Sequence, residues 1–309
     1  MGPTASTHMC RGAVLAVAAW IAFDGSRADA VVQGAWDSTL ASKWVQWDTF
    51  EPSLVVIVFL LSLWFFWALD VPLHERSAPW RAGICANPDM RAWRWEGGKR
   101  ILHETAFYVV PLVVLDVLFP RRVLPDAAPG AARLVIEVVA SLLLYDLLFT
   151  AGHVLCHSTP WLYRTTHSKH HRATTVRACE TVCLTLWEEG LDVACSVAAL
   201  NLVRAHPMSR AVYNVVIVYL LVELHSGYEF PWMLQDVVPC GLMAGSRKHA
   251  LHHRYGNVCY QKFFTYIDAA MGTLSKDKSA TAKALAAPAE PQLVQQGKGG
   301  RKRFLSPPS

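Results

Sequence analysis

The chain has 309 residues, of which 53% are apolar and 17% charged, with a net charge of +5. A charged share well below the usual ~25%, with a positive mean hydropathy of +0.24, points to residence in a membrane. The basic residues are scattered through loops and form no stripe suited to nucleic acid. The eight cysteines (Cys10, Cys85, Cys156, Cys179, Cys183, Cys195, Cys240 and Cys259) show no framework spacing. They read as free thiols in a chain whose working face is cytosolic.

In chain order, residues 13–23 form the first apolar run, shorter than a span and closer to the core of a signal peptide. Met1-Gly2 with Ser6 fits an N-myristoylation pattern loosely, with Pro3 interrupting it. Residues 1–50 are therefore expected to form a signal-like or interfacial segment. Residues 54–69 are an uninterrupted apolar run, opened by Pro52 and Ser53 and long enough for roughly 27 Å of helix. Further apolar stretches cover residues 103–119 (with Pro111 and Asp116), 134–152, 182–203 and 211–224. The segment 204–210, which contains Pro207, is expected to turn the chain between the last two. Residues 275–309 are rich in Ala, Lys, Gln, Pro and Gly and read as a disordered basic tail. Residues 51–274 then make one membrane-embedded unit.

Eight of the thirteen histidines fall in three clusters: His153-Val-Leu-Cys-His157, His167-Ser-Lys-His170-His171 and His249-Ala-Leu-His252-His253. Imidazole suits iron, zinc, copper and nickel, and this is more than one tetrahedral zinc needs. On a helix, His153 and His157 sit about 40° apart, and all three histidines of each H-x-x-H-H motif are expected to converge from one turn. Hydrolysis by a single zinc would need Glu after the first histidine, where this chain has Val154. Eight imidazoles instead allow four for each of two redox metals, with positions left open for oxygen. Asp146 shares the stripe of His153 and can either accept a hydrogen bond from a ligand imidazole or make a polar contact within the bundle.

One site needs all three clusters on one side of the membrane, so an even number of crossings must separate His171 from His249. The fourth and fifth stretches supply two. The 70–100 segment carries Arg76, Arg81, Arg91, Arg94, Lys99 and Arg100, against Arg27 and Lys43 in residues 24–53. The positive-inside rule then places the clusters in the cytosol. Trp44, Trp47, Trp80, Trp93, Trp95 and Trp232 flank the apolar runs as interfacial aromatics do.

The three motifs, in a chain of this size and hydropathy, resemble the fatty acid hydroxylase/sterol desaturase superfamily of membrane-bound non-haem di-iron oxygenases. His225-Ser-Gly-Tyr-Glu-Phe-Pro-Trp232 is similar to a stretch of its cholesterol 25-hydroxylase-like members, as is Phe264-Thr-Tyr-Ile-Asp268 with Gly272-Thr-Leu274. Ala244-Gly-Ser-Arg247 is more like methylsterol oxidases. Val154, Ser168, Lys169 and Tyr266 depart from the usual pattern without removing a ligand. The resemblance implies an all-α, polytopic membrane bundle with a cytosolic histidine-rich di-iron cap, in the endoplasmic reticulum. It implies iron ligands at His153, His157, His167, His170, His171, His249, His252 and His253, with His225 a further ligand or a close neighbour of the ligands.

The implied reaction uses O2 and two iron ions to hydroxylate a sterol-like lipid. The chain has no G-x-G-x-x-G after a strand and no C-x-x-C-H haem motif, so electrons must come from outside. The resemblance names a b-type cytochrome and a pyridine-nucleotide-dependent reductase as donors. A desaturase or acyl-chain hydroxylase would use the same metals, and a non-catalytic metal-binding membrane protein is the alternative from another class. The 230–243 segment, with Trp232, Met233, Leu234, Val237 and Val238, suits the interface through which a lipid would enter.

Overall fold

Lipid offers no hydrogen bonds, so an apolar run must satisfy its own backbone groups, and helices result. The computed structural model describes residues 4–82, 85, 95–118, 124–172 and 176–275. Its principal helices are α1 (Ala5–Phe23), α2 (Gly25–Leu40), α3 (Phe50–Asp70), α4 (Trp95–Leu118) and α5 (Ala131–Ser158). They continue with α6 (Leu186–Val203), α7 (Pro207–His225), α8 (Gly245–Tyr255) and the short α9 (Tyr266–Met271). Among the described residues there is no strand, only isolated bridges between Arg81 and Tyr228 and between Met243 and Phe264. The protein is an all-α membrane bundle, as the sequence indicated.

Among the described residues, five helices have the length and apolarity to cross a membrane: Ala5–Phe23, Phe50–Asp70, Ile101–Leu118, Ala131–Ser158 and Pro207–His225. Two differences from the sequence reading stand out. The N-terminal run is longer than its apolar core, because Thr4 caps the helix by accepting from the Thr7 amide. Arg11 lies within that helix and donates to the carbonyls of Asp236 and Val237 at 2.7 and 2.9 Å. The fourth stretch, expected as a crossing, does not qualify by composition. It starts as helix only at Leu186, and its first half carries Glu188, Glu189 and Asp192, all buried.

α6 nevertheless carries the chain away from the histidine end and α7 brings it back. Between them Arg204 adopts a left-handed conformation (φ 55°), and Pro207 opens α7, where its missing N–H costs nothing. α3 and α7 run parallel. Glu51 pairs with Arg210 at their starts, and Asp70 meets Tyr228 just past the end of α7. At the far end, α2 lies against the starts of α5 and α7: Asp29 accepts from the Ala131 amide at 2.6 Å, and Trp36 packs edge-on to His206.

The inward faces of α3, α5, α6 and α7 share one core that includes Phe59, Phe66, Leu142, Phe149, Ala199 and Ile217. The outward faces stay apolar: Leu60, Leu61 and Trp64 on α3 are half or more exposed, as expected of side chains facing lipid tails. Arg91, Arg94, Trp93 and the 276–309 tail lie outside the described residues.

The top of α3 is fixed by one polar knot. Buried Asp70 accepts from Arg81 and, at 2.9 Å, from the Tyr228 hydroxyl, which also meets Ser77 Oγ at 3.0 Å. Asp70→Ala strands a buried guanidinium and should cost about 3–5 kcal/mol, against about 1 kcal/mol for Tyr228→Phe. Thermal unfolding of the two purified variants checks the ranking, and equal losses would contradict it.

Candidate metal centre

His153 and His157 occupy the last two turns of α5, one helical turn apart. The chain then bends at Pro160 and winds through a π-helical turn, Tyr163–His167, closed by Ser168 N donating to Tyr163 O at 2.7 Å. A 3-10 turn, His170–Arg172, follows. His225 ends α7, and α8 presents His249, His252 and His253 before Gly256 terminates it in the left-handed region (φ 69°).

The nine rings form two adjoining groups. His153, His157, His167, His171 and His252 make one, and His170, His225, His249 and His253 the other. Within each, one nitrogen per ring lies within 4.8 Å of all the others. The groups share a wall, where His171 and His253 stack at 4.7 Å.

The expectation that each H-x-x-H-H motif converges on one point is corrected. His167 and His171 enter the first group while His170 enters the second. His249 and His253 enter the second while His252 enters the first. Helical geometry is the reason in α8: residues four apart are ~40° apart in azimuth, whereas the middle histidine sits ~100° from the last. Each motif therefore gives a pair to one group and a single ring to the other.

Hydrogen bonding fixes several tautomers. Nδ1 of His153, His252 and His225 lies 2.8–2.9 Å from the carbonyls of Tyr260, Val258 and Leu221. Carbonyls only accept, so these Nδ1 atoms carry the protons and each Nε2 presents a lone pair. His167 Nδ1 likewise faces Glu188 Oε1 at 2.7 Å. Yet the Nε2 atoms of His153 and His167 stand 3.0 Å apart, lone pair to lone pair. Close Nε2–Nε2 approaches also join His252 to His171 (3.1 Å), His249 to His225 (2.9 Å) and His253 to His249 (3.0 Å). Buried His157 Nε2 and His170 Nδ1 have no hydrogen-bond partner among the described residues. Neutral donors crowded face to face in this way suit a cation between them, so the residues present fit metal ions.

Comparison with known proteins agrees with the geometry. Residues 138–273 match the fatty acid hydroxylase family model. Cholesterol 25-hydroxylases of Rattus norvegicus and Homo sapiens are each 35% identical over 173 residues, 56% of this chain and 58% and 64% of theirs. A cholesterol 25-hydroxylase-like protein of Danio rerio is 36% identical over 175 residues, 56% of this chain and 69% of its own length. The chain belongs to the fatty acid hydroxylase/sterol desaturase superfamily. The match spans a little under three fifths of the rat protein. No solved structure matches the chain.

The family motifs outside the histidines act as scaffolding. Gly227, in His225-Ser-Gly-Tyr228, takes φ +77°, and a Cβ there would come within 2.9 Å of Cys85 Cβ. Its amide donates to Ser246 Oγ at 2.8 Å, joining this motif to Ala244-Gly-Ser-Arg247. Asp268 accepts from the amides of Tyr260 and Gln261, both at 2.9 Å, and so holds the carbonyl that receives His153.

Asp146 does not bond an imidazole. Its hydrogen bonds among the described residues go to the amides of Lys262, Phe263 and Phe264 and to the Gln261 side chain. Its influence on His153 passes through the 260–264 segment. Sequence reasoning also missed Glu188, whose signal was an acidic group in an apolar run, costly in lipid unless used. The carbonyls of Tyr260, Val258 and Leu221 leave no such signal.

His170 and His225 also line a narrow cavity of about 50 Å³, with Val55, Phe59, Val109 and Leu221 on its apolar side and Glu188, Asp192 and Lys262 on its polar side. The 230–243 segment, expected as the lipid entrance, does not line it. Trp232 there is half exposed and stacks on Phe230 at 4.5 Å, whereas Met233 is buried.

Burial, reinforced by neighbouring rings, holds His167, His170, His171 and His249 well below the ordinary histidine range. Burial also lowers His252, to about 4, with its bond to Val258 opposing the shift. Depressed values favour the neutral, metal-binding form. In metal-free protein the unfolded chain takes up protons below about pH 6.5 while the folded rings resist. Apo-protein stability should therefore be complete above pH 6.5 and decline as pH falls toward 4. A melting temperature constant across that window would contradict this.

Proposed function

We propose that the protein is a membrane-bound di-iron oxidoreductase that uses O2 and external electrons to hydroxylate a sterol or related lipid. One observation carries the reading: two adjoining cages of imidazoles, all but His157 buried, one of which lines through His170 and His225 a narrow cavity walled largely by Val55, Phe59, Val109 and Leu221. The relatives named for cholesterol 25-hydroxylation support the sterol class.

His153, His157, His167, His171 and His252 hold one iron and His170, His225, His249 and His253 the other. Bound there, the iron pair supplies O2 activation and abstraction of hydrogen from an unactivated C–H bond. The chain's own residues do the rest. Carbonyls of Tyr260, Val258 and Leu221 fix ring orientation, and Glu188 holds the proton of His167 at Nδ1. Such partners orient ligands and raise their basicity. Phe59, Val109 and Leu221 exclude water and hold the lipid by its apolar surface. A b-type cytochrome and a pyridine-nucleotide-dependent reductase supply electrons. The cages face the cytosol from the endoplasmic reticulum membrane, within a 51–274 catalytic domain flanked by the 1–50 and 275–309 segments.

Purified protein should contain about two irons per chain, since each cage is complete by itself. His170→Ala and His252→Ala, one from each cage, should lose iron and turnover together. Variants retaining full iron would overturn the ligand assignment. With a reductase system added and labelled O2 supplied, the product alcohol should carry the label. Label from water would indicate hydration chemistry, and an unlabelled alkene would indicate a desaturase.

Tags at Ser168 and Ser246, and one following Leu274, should all report the cytosol, because the first cage draws on all three clusters and both cages share the second and third. A luminal signal from any of them would break the topology.

A further inference from the structure

Arg11 is the one arginine or lysine of α1, in an apolar helix of which only Thr7 is buried. Such a charge is costly among lipid tails unless it is used. Here its use is specific. Nε donates to the Val237 carbonyl at 2.9 Å and Nη2 to the Asp236 carbonyl at 2.7 Å. These carbonyls close the helical turn Leu234–Val237, where no further turn supplies amides. A rigid guanidinium fork can hold two successive carbonyls in one fixed geometry, which an ammonium cannot do.

The gripped turn supports the start of α8. Gln235 lies across Gly245, where a Cβ would come within 2.7 Å of Gln235 Cδ and 2.8 Å of its Cγ. Gly245 takes φ +70°, and α8 begins there. From the other side the Ala244 amide donates to the Phe263 carbonyl at 2.8 Å, and Lys248 Nζ donates to the Met243 carbonyl at 3.0 Å. About one turn further on, α8 presents His249, His252 and His253. The second cage takes two of its four rings from α8. The first takes one of its five, His252, which the Val258 carbonyl fixes separately.

We propose that Arg11 is a positioning residue for the second cage. By fixing the Leu234–Val237 turn it sets where α8 starts, and hence how His249 and His253 face His170 and His225. The proposal rests on the reading of the cages as metal sites and adds the N-terminal helix to the parts that build them. The dependence is unequal: a shift of α8 moves half of the second cage and a single ring of the first.

The test is metal titration of the full chain in lipid nanodiscs, stripped of metal and followed by the visible absorption of Co2+. The equivalent that His249→Ala abolishes reports the second cage. In Arg11→Met that equivalent should bind about tenfold more weakly, the lower end of what outer partners of ligands contribute. The other equivalent should change by less than about threefold. Arg11→Lys, which keeps a donor without the fork, should fall between the wild type and Arg11→Met. Gln235→Ala, with Arg11 intact, should reproduce the bias and covers the case in which Arg11→Met does not fold. The double variant should be little worse than Arg11→Met, because both residues act along one path.

Unchanged binding in Arg11→Met, equal weakening of both equivalents, or no bias in Gln235→Ala would each overturn the proposal. The expected bias without hydroxylation would fault the oxidase reading alone. Hydroxylation without the bias would fault the role of Arg11 alone.

Discussion

The site depends on one constraint: nine imidazoles, all but His157 buried, are packed together, and their buried N–H groups need acceptors. A buried donor left unbonded costs about 1–3 kcal/mol. The N–H groups of His153, His225 and His252 accordingly go to the carbonyls of Tyr260, Leu221 and Val258. Once those bonds are made, the opposite nitrogens have a single direction in which to point. The backbone therefore aims the rings, and the family motifs between the histidines serve to hold the backbone.

This explains why acidic groups enter the bundle at all. Asp146 gathers three successive amides beyond Gln261, and Asp268 takes two more. Lys262 then reaches Asp192 at 2.8 Å and the Tyr145 hydroxyl at 2.9 Å, with its ammonium over the Phe149 ring. Unpaired, any of these charges would be expensive between apolar helices. Paired, they tie the segment carrying the Tyr260 carbonyl to α5 and α6. Polar cost inside the membrane is offset by the position it gives to a carbonyl.

The fold class was legible in the long apolar runs, and the histidines that the fold gathers were legible because they repeat at helical spacing. The sharing of each H-x-x-H-H motif between cages was not. Spacing tells which residues can share a face, but not that His170, in a 3-10 turn after a π-helical one, parts from His167 and His171. Of the two roles open to Asp146, the structure shows the polar contact within the bundle, and sequence could not choose it because its partners are mainly amides, which every residue has. The crossing expected for residues 182–203 overlooked how much acid the first half of α6 carries. The N-terminal run looked short because Arg11 interrupts the polar side of a helix that continues past it.

The division of each motif between cages has a consequence for biosynthesis. Residues emerge from the ribosome in order, and the first cage needs His252 as well as His153, while the second needs His253 as well as His170. No nascent chain that stops short of α8 holds a complete set for either. Closure of both cages comes within two residues of synthesis, after the membrane helices have been made. A half-built protein thus lacks a ring from each group, and neither group is whole until the last turns of α8 have been made.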